Sequence, residues 1–213
     1  MEEKTKEFMK TGTTTVGIIF KDGVVLASEK RAVMGYLIAH KDFEKVYKLD
    51  DNLAITISGG VGDCQMLIKF LKVNIELFKI RRQRKPSVNA VVTLLSHILF
   101  QNRMSIFPYY AQLLVGGVDE SGPHLFSLGP DGSKVEDKYI STGSGSVIAY
   151  GVLEDNYKEG LEMEEAVRLA ARAVSAATKR DIYSGGQIEV AVVTKEGFRK
   201  LKKEEIDKIL GKK

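Results

Sequence analysis

The hydrophobic period of this 213-residue chain changes near residue 60, and that change limits the folds open to it. From residue 13 to residue 58 the sequence is rich in β-branched residues and punctuated by turns. It predicts strands over 13–20, over 24–28 after the Lys21-Asp22-Gly23 turn, and over 33–39, 45–49 and 53–58. The apolar residues then fall at helical spacing. Met66, Phe70, Val73, Leu77 and Ile80 predict a helix over about 62–82. Pro86-Ser87 offers a cap, and Val88, Val91, Val92, Leu95 and Leu99 give a second helix. Strands return over 111–118, 124–127 and about 135–140. Helices follow over 146–157 and 163–179, the latter with Ala166, Leu169, Ala170, Ala173 and Ala177 on one face. A strand over 188–193 and a short helix over 203–210 complete the order.

Helices grouped between runs of strands argue against a doubly wound parallel sheet. The pattern fits an α+β fold with two antiparallel sheets held between two helical layers, a four-layer αββα sandwich. The chain shows no repeat or linker, and 44% hydrophobic residues are enough for the core of one domain. Its single cysteine, Cys64, has no internal partner for a disulfide, so a reducing, cytoplasmic setting is expected. The first twelve residues are charged and lack the apolar run of a secretory signal. No stretch approaches the ~20 apolar residues of a membrane helix, so no membrane partner is expected. The net charge is +4. The densest basic cluster, Arg81, Arg82, Arg84 and Lys85, reads as a solvated helix end whose cations suit the helix dipole. Basic residues elsewhere alternate with acidic ones, so no nucleic-acid partner is expected.

The most informative stretch is Thr11-Gly12-Thr13-Thr14-Thr15-Val16-Gly17. Taken alone, three threonines are a strand start, because β-branched residues favour strands. Other segments stand with it: Lys21 to Arg31, Lys45, Ser58-Gly59-Gly60-Val61-Gly62-Asp63, Gln112 to Asp119, Ser141 to Ser146, Tyr150 to Glu154, and Lys179-Arg180-Asp181 leading to Ser184-Gly185-Gly186. In this order and spacing the chain resembles the archaeal-type proteasome β subunits, members of the N-terminal nucleophile hydrolases. The resemblance covers nearly the whole length.

The resemblance implies a threonine peptidase whose nucleophile is Thr13, freed when the chain cuts itself between Gly12 and Thr13. Residues 1–12 would be a propeptide and residues 13–213 a single peptidase domain. A threonine hydroxyl needs a base at neutral pH. A free α-amine, with a pKa of roughly 7.7–8.0, can serve as that base on the same residue. Glycine at position 12 allows the tight bend that brings the hydroxyl to its carbonyl carbon. By the same match Lys45 lies beside the Thr13 hydroxyl and Glu29 is its acidic partner. An unpaired buried lysine would lose its charge, so such a partner is physically required. Asp181 would orient the hydroxyl and amine of Thr13, with Ser144 and Ser184 completing the network. Without the resemblance, Ser and Gly clusters of this kind are turn chemistry.

Gly59 opens a Gly-Gly-x-Gly segment that lacks the Lys-Ser/Thr of a phosphate loop. The resemblance makes its N–H the oxyanion donor. It also lines the specificity pocket with Ala32, Val33, Phe43, Ile57 and Val61, where Val33 replaces a threonine common in the family. An apolar pocket implies cleavage after large hydrophobic residues. His40, His97 and His124 are scattered, and neither a metal nor a cofactor is implied. The family's partners would be seven-membered β rings, α-subunit rings, a regulatory ATPase docked on the α rings, and unfolded polypeptide substrates. A catalytically silent ring subunit is the alternative reading.

Overall fold

The structure is a computed structural model that describes residues 12–211. Two five-stranded antiparallel sheets form its centre. The first contains β1 (Thr15–Phe20), β2 (Gly23–Glu29), β10 (Tyr139–Thr142), β11 (Ile188–Thr194) and β12 (Gly197–Lys200), in the order β10-β1-β2-β11-β12. The second runs in sequence order through β5 (Val46–Asp50), β6 (Leu53–Gly59), β7 (Ala111–Asp119), β8 (Gly122–Leu128) and β9 (Lys134–Glu136). A separate hairpin pairs β3 (Ala32–Met34) with β4 (Leu37–His40).

Three apolar cores explain the layering. Between the sheets lie Val24, Leu26, Ala54, Leu114, Leu125 and Val193. The other face of the first sheet turns Val16, Ile18, Val25, Ala27, Val190 and Val192 toward α3 (Ser146–Asn156), α4 (Met163–Ala177) and α5 (Lys203–Leu210). The far face of the second sheet packs Ile55, Ile57, Leu113 and Val115 against α1 (Val61–Arg82) and α2 (Val88–Asn102). The result is the αββα sandwich that the element order predicts. Strands covered on both faces read as unbroken apolar runs, as Val24-Val25-Leu26-Ala27 does. At Gly17 a Cβ would meet the Leu125 side chain at 2.6 Å, so glycine lets the two sheets approach.

Local chemistry sets the element ends. The Ser87 side chain accepts from Ala90 N at 3.2 Å, which is the cap expected of Pro86-Ser87. Glu162 and Glu165 form a reciprocal capping box on α4, whose alanine face is buried as its spacing predicts. Four expectations change. The run over 33–39 is a hairpin, broken at Gly35, which has φ of 59°. The run over 135–140 is two strands, β9 and β10, in different sheets. Strand β12 was not foreseen. Finally, the regular set Met66, Phe70, Val73, Leu77 and Ile80 is the exposed side of α1, while Cys64, Leu67, Ile68, Leu71 and Ile75 face the core. That helix is apolar on two sides. Among the described residues no helix is long and apolar enough to cross a membrane.

Candidate active site

The candidate site lies where the ends of both sheets meet. Thr13 and Thr14 precede β1 and are buried, with Thr13 2% exposed. Glu29 ends β2 and Lys45 directly precedes β5, so the first sheet supplies the carboxylate and the second the ammonium. Thr15 lies opposite Ser28 in the β1–β2 ladder, which brings Glu29 alongside the residues just before β1.

The Thr13 hydroxyl donates to Glu29 Oε1 at 2.6 Å. The Lys45 ammonium contacts both the Thr13 hydroxyl and Glu29 Oε1, and donates to the Arg31 carbonyl at 2.6 Å. Glu29 is fully buried and saturated. Its Oε1 also receives Thr14 N at 3.4 Å, and its Oε2 receives Arg31 N at 2.7 Å and Gly185 N at 3.0 Å. Burial holds the Lys45 pKa below its ordinary value, against the opposing pull of the Glu29 carboxylate.

A second group stands on the other side of Thr13. Asp181 Oδ2 accepts from Ser144 Oγ at 2.6 Å and from Ser184 Oγ at 2.5 Å. Ser184 Oγ shares a 2.7 Å hydrogen bond with Thr14 Oγ1. Gly145 N donates to the Thr13 carbonyl at 3.3 Å, and Ser144 Oγ, whose one proton goes to Asp181, lies 3.4 Å from that carbonyl. Asp181 therefore makes no direct hydrogen bond to Thr13; the Ser144 hydroxyl that it holds stands between them. The loop holding Asp181 and Ser184 follows α4, which ends in tight turns where Arg180 N and Asp181 N both bond to the Ala177 carbonyl, while Ser144 and Gly145 lie between β10 and α3.

Gly59 has a φ of 111°, a region that side chains avoid, and a Cβ there would meet the Tyr110 carbonyl at 2.3 Å. It ends β6 just before α1, whose N-cap is Gly60. A cavity lined by Thr13, Lys45 and Gly59 is also lined by Ala32, Val33, Phe43, Ile57 and Val61. All five pocket positions implied by the resemblance thus share one recess with the threonine. Gly12 borders it too. A Cβ on Gly12 would meet Tyr183 Cβ at 2.2 Å and Ser144 Oγ at 2.5 Å, so only glycine fits. The remainder of the segment expected to be removed, residues 1–11, lies outside the described residues. Among the described residues no group of three metal-ligating side chains forms.

The sequence of the family described as "Proteasome subunit" matches residues 9–193. The chain belongs to the proteasome subunit family. Its curated relatives match it over more than nine-tenths of its length. "Proteasome subunit beta" of Methanoregula boonei is 51% identical over 213 residues, covering 100% of this chain and 99% of that one. The protein of the same description from Methanothermobacter thermautotrophicus is 52% identical over 198 residues, covering 92% and 93%. That of Methanobrevibacter smithii is 48% identical over 212 residues, covering 100% of both.

Family membership accounts for the order of the motifs, but four contributors escaped the sequence reading. Thr14 carries the hydroxyl that reaches Ser184, Arg31 and Gly185 supply backbone donors to Glu29, and Tyr183 closes over Gly12. Backbone donors leave no side-chain signature. Thr14 lies in the threonine run whose composition predicts a strand, and nothing in that composition marks its hydroxyl.

Proposed function

We propose that this proteasome-family chain is the proteolytic β subunit of a core particle, a threonine endopeptidase that degrades unfolded polypeptides to short peptides. The observation that carries the reading is the buried Thr13 hydroxyl held between the Glu29 carboxylate and the Lys45 ammonium. The Lys45 charge beside it favours the alkoxide form, and Glu29 keeps that charge in a dry site.

In this proposal the chain first cuts itself. The Thr13 hydroxyl attacks the Gly12 carbonyl carbon, the C–N bond to Thr13 breaks, and the resulting ester is hydrolysed to release residues 1–12. The fit of Gly12 beneath Tyr183, with no room for a side chain, supports cleavage at this bond. The new α-amine of Thr13 then takes the proton of its own hydroxyl, directly or through a water. The oxygen attacks the substrate carbonyl, and the developing oxyanion is met by Gly59 N–H, a kind of donor worth about 3 kcal/mol in the transition state. The amine returns its proton to the leaving nitrogen, and water hydrolyses the acyl ester. Ser144, Asp181 and Ser184 would hold the amine and its water. The recess formed by Ala32, Val33, Phe43, Ile57 and Val61 would accept a large hydrophobic side chain before the cleaved bond.

Assembly follows from the same reading: seven-membered β rings enclosed by α rings, fed with unfolded polypeptide by an ATPase, in the cytoplasm. The apolar outer side of α1, with Ile80 67% exposed, suits a chain that is covered by other subunits. The test is co-assembly with an α subunit, mass spectrometry of this chain, and a fluorogenic peptide panel on wild type and Thr13→Ala. The wild type is expected to lose residues 1–12 and cleave after hydrophobic residues, while Thr13→Ala does neither. Equal activity in the two would refute the mechanism, and an inactive but assembled wild type would mark a silent ring subunit.

A further inference from the structure

Glu189 is a buried acid that the chemistry above leaves unused. It is 5% exposed, in a strand that otherwise reads Ile-x-Val-Ala-Val-Val-Thr. Its partner across the β2–β11 ladder is Ser28, the residue before Glu29. The Glu189 side chain crosses between the sheets. Oε1 accepts from Lys45 N at 2.5 Å, from Val46 N at 3.1 Å and from Ser28 Oγ at 3.0 Å. Oε2 lies 2.9 Å from Lys200 Nζ on β12, and Lys200 also pairs with Glu44 at 3.0 Å.

The ladder of β5 begins at Val46, opposite Thr56. Lys45 therefore precedes the regular ladder, and Glu189 supplies the acceptor for its N–H. A lysine head sits on four rotatable bonds, so where the ammonium lands depends on how firmly its Cα is held. The same carboxylate oxygen also fixes the hydroxyl next to Glu29. One carboxylate oxygen thus holds the backbone N–H of Lys45 and the side-chain hydroxyl of the residue before Glu29.

We propose that Glu189 is a positioning residue for the threonine site, registering Lys45 of one sheet against Glu29 of the other through its Oε1. The inference rests on the function proposed above. Its working feature is the acceptor oxygen at this reach. The charge on Oε2 serves Lys200, which keeps Glu44 when that charge is removed.

The experiment assembles wild type, Glu189→Gln, Glu189→Asp and Glu189→Ala with an α subunit, counts competent sites with a covalent threonine-directed inhibitor, and measures kcat and KM per counted site on a hydrophobic fluorogenic peptide. Thr13→Ala is included so that failure of the underlying reading shows separately, as activity independent of Thr13. Glu189→Gln keeps the acceptor and is expected to stay within about tenfold of wild-type kcat. Glu189→Asp withdraws it and Glu189→Ala deletes it. Each is expected to lower kcat, Ala by roughly 10²-fold, the penalty that a displacement on the order of 1 Å brings, with KM little changed. Should Glu189→Ala fail to assemble, the Asp and Gln pair carries the comparison. Wild-type kcat per site in Glu189→Asp or Glu189→Ala would overturn the proposal, as would a Gln variant slower than the Asp variant.

Discussion

Replacing Glu29 by Gln removes the charge at the centre of the site and little of its shape. A carboxamide oxygen can still accept from Arg31 N and Gly185 N, which now reach Glu29 Oε2 at 2.7 and 3.0 Å. What is lost is the counter-charge of Lys45, itself only 4% exposed, and the acceptor at Oε1, where an amide NH2 now faces the Thr13 hydroxyl and the Lys45 ammonium. Breaking a buried pair from one side costs about 3–5 kcal/mol. The cost has a ceiling, because Lys45 can escape it by releasing its proton. From an ordinary lysine pKa of 10.5 down to pH 7, that release costs roughly 5 kcal/mol at about 1.4 kcal/mol per unit. The ceiling carries a sign. At the top of that range proton release becomes the cheaper course: the folded variant then holds Lys45 neutral while the unfolded chain keeps it protonated, so the unfolded state binds more protons and stability rises with pH. The deficit relative to wild type is therefore full near pH 7 and shrinks toward the lysine's unfolded pKa, by about 1.4 kcal/mol per pH unit. Urea unfolding of the purified chain at pH 7.0 and 8.0, followed by circular dichroism, measures it. A Glu29→Gln, Lys45→Met double variant should lose the slope. A deficit that does not change with pH, or a slope that survives in the double variant, would refute the reasoning.

The lowered Lys45 pKa also bears on catalysis: its ammonium is lost as pH rises through a value below the ordinary 10.5, so peptidase activity should fall on the alkaline side before that pH, as a kcat/KM–pH profile would show. Gly59→Ala puts a methyl 2.3 Å from the Tyr110 carbonyl at a φ of 111° and should cost about 1–3 kcal/mol in stability while slowing turnover. Unfolding and kinetics like wild type would take Gly59 out of the site. Burial pushes the Cys64 thiol up to about 12, so iodoacetamide at pH 8 should leave the native chain unlabelled and alkylate it fully in denaturant, read by intact mass.

Where a segment's period was unambiguous, its element was legible in the sequence. The alanine face of α4 and the Ser87 cap of α2 follow from spacing and side-chain chemistry alone. Helix α1 shows why spacing can choose the wrong side. Its exposed set repeats as regularly as its buried set, and only the neighbouring sheet decides which is covered. The tight hairpin at Gly35 was hidden because apolar residues continue on both sides of the turn. For the site, Thr13, Lys45 and Glu29 carried their family positions, and the structure brings them together. Asp181 holds the Ser144 hydroxyl and not Thr13 itself, a detail of the loops before α3 and after α4 that no spacing encodes. The backbone donors Arg31 N and Gly185 N were out of reach for the same reason.

The bond from Gly185 N to Glu29 spans 156 positions of the chain, and the one joining Thr14 to Ser184 spans 170. A ribosome must therefore have made nearly nine-tenths of the protein before either can close. Until then Glu29 lacks one of its donors, and Thr14 lacks the hydroxyl that ties it to Asp181. A nascent or prematurely ended copy has the threonine but not the surroundings that would sharpen it.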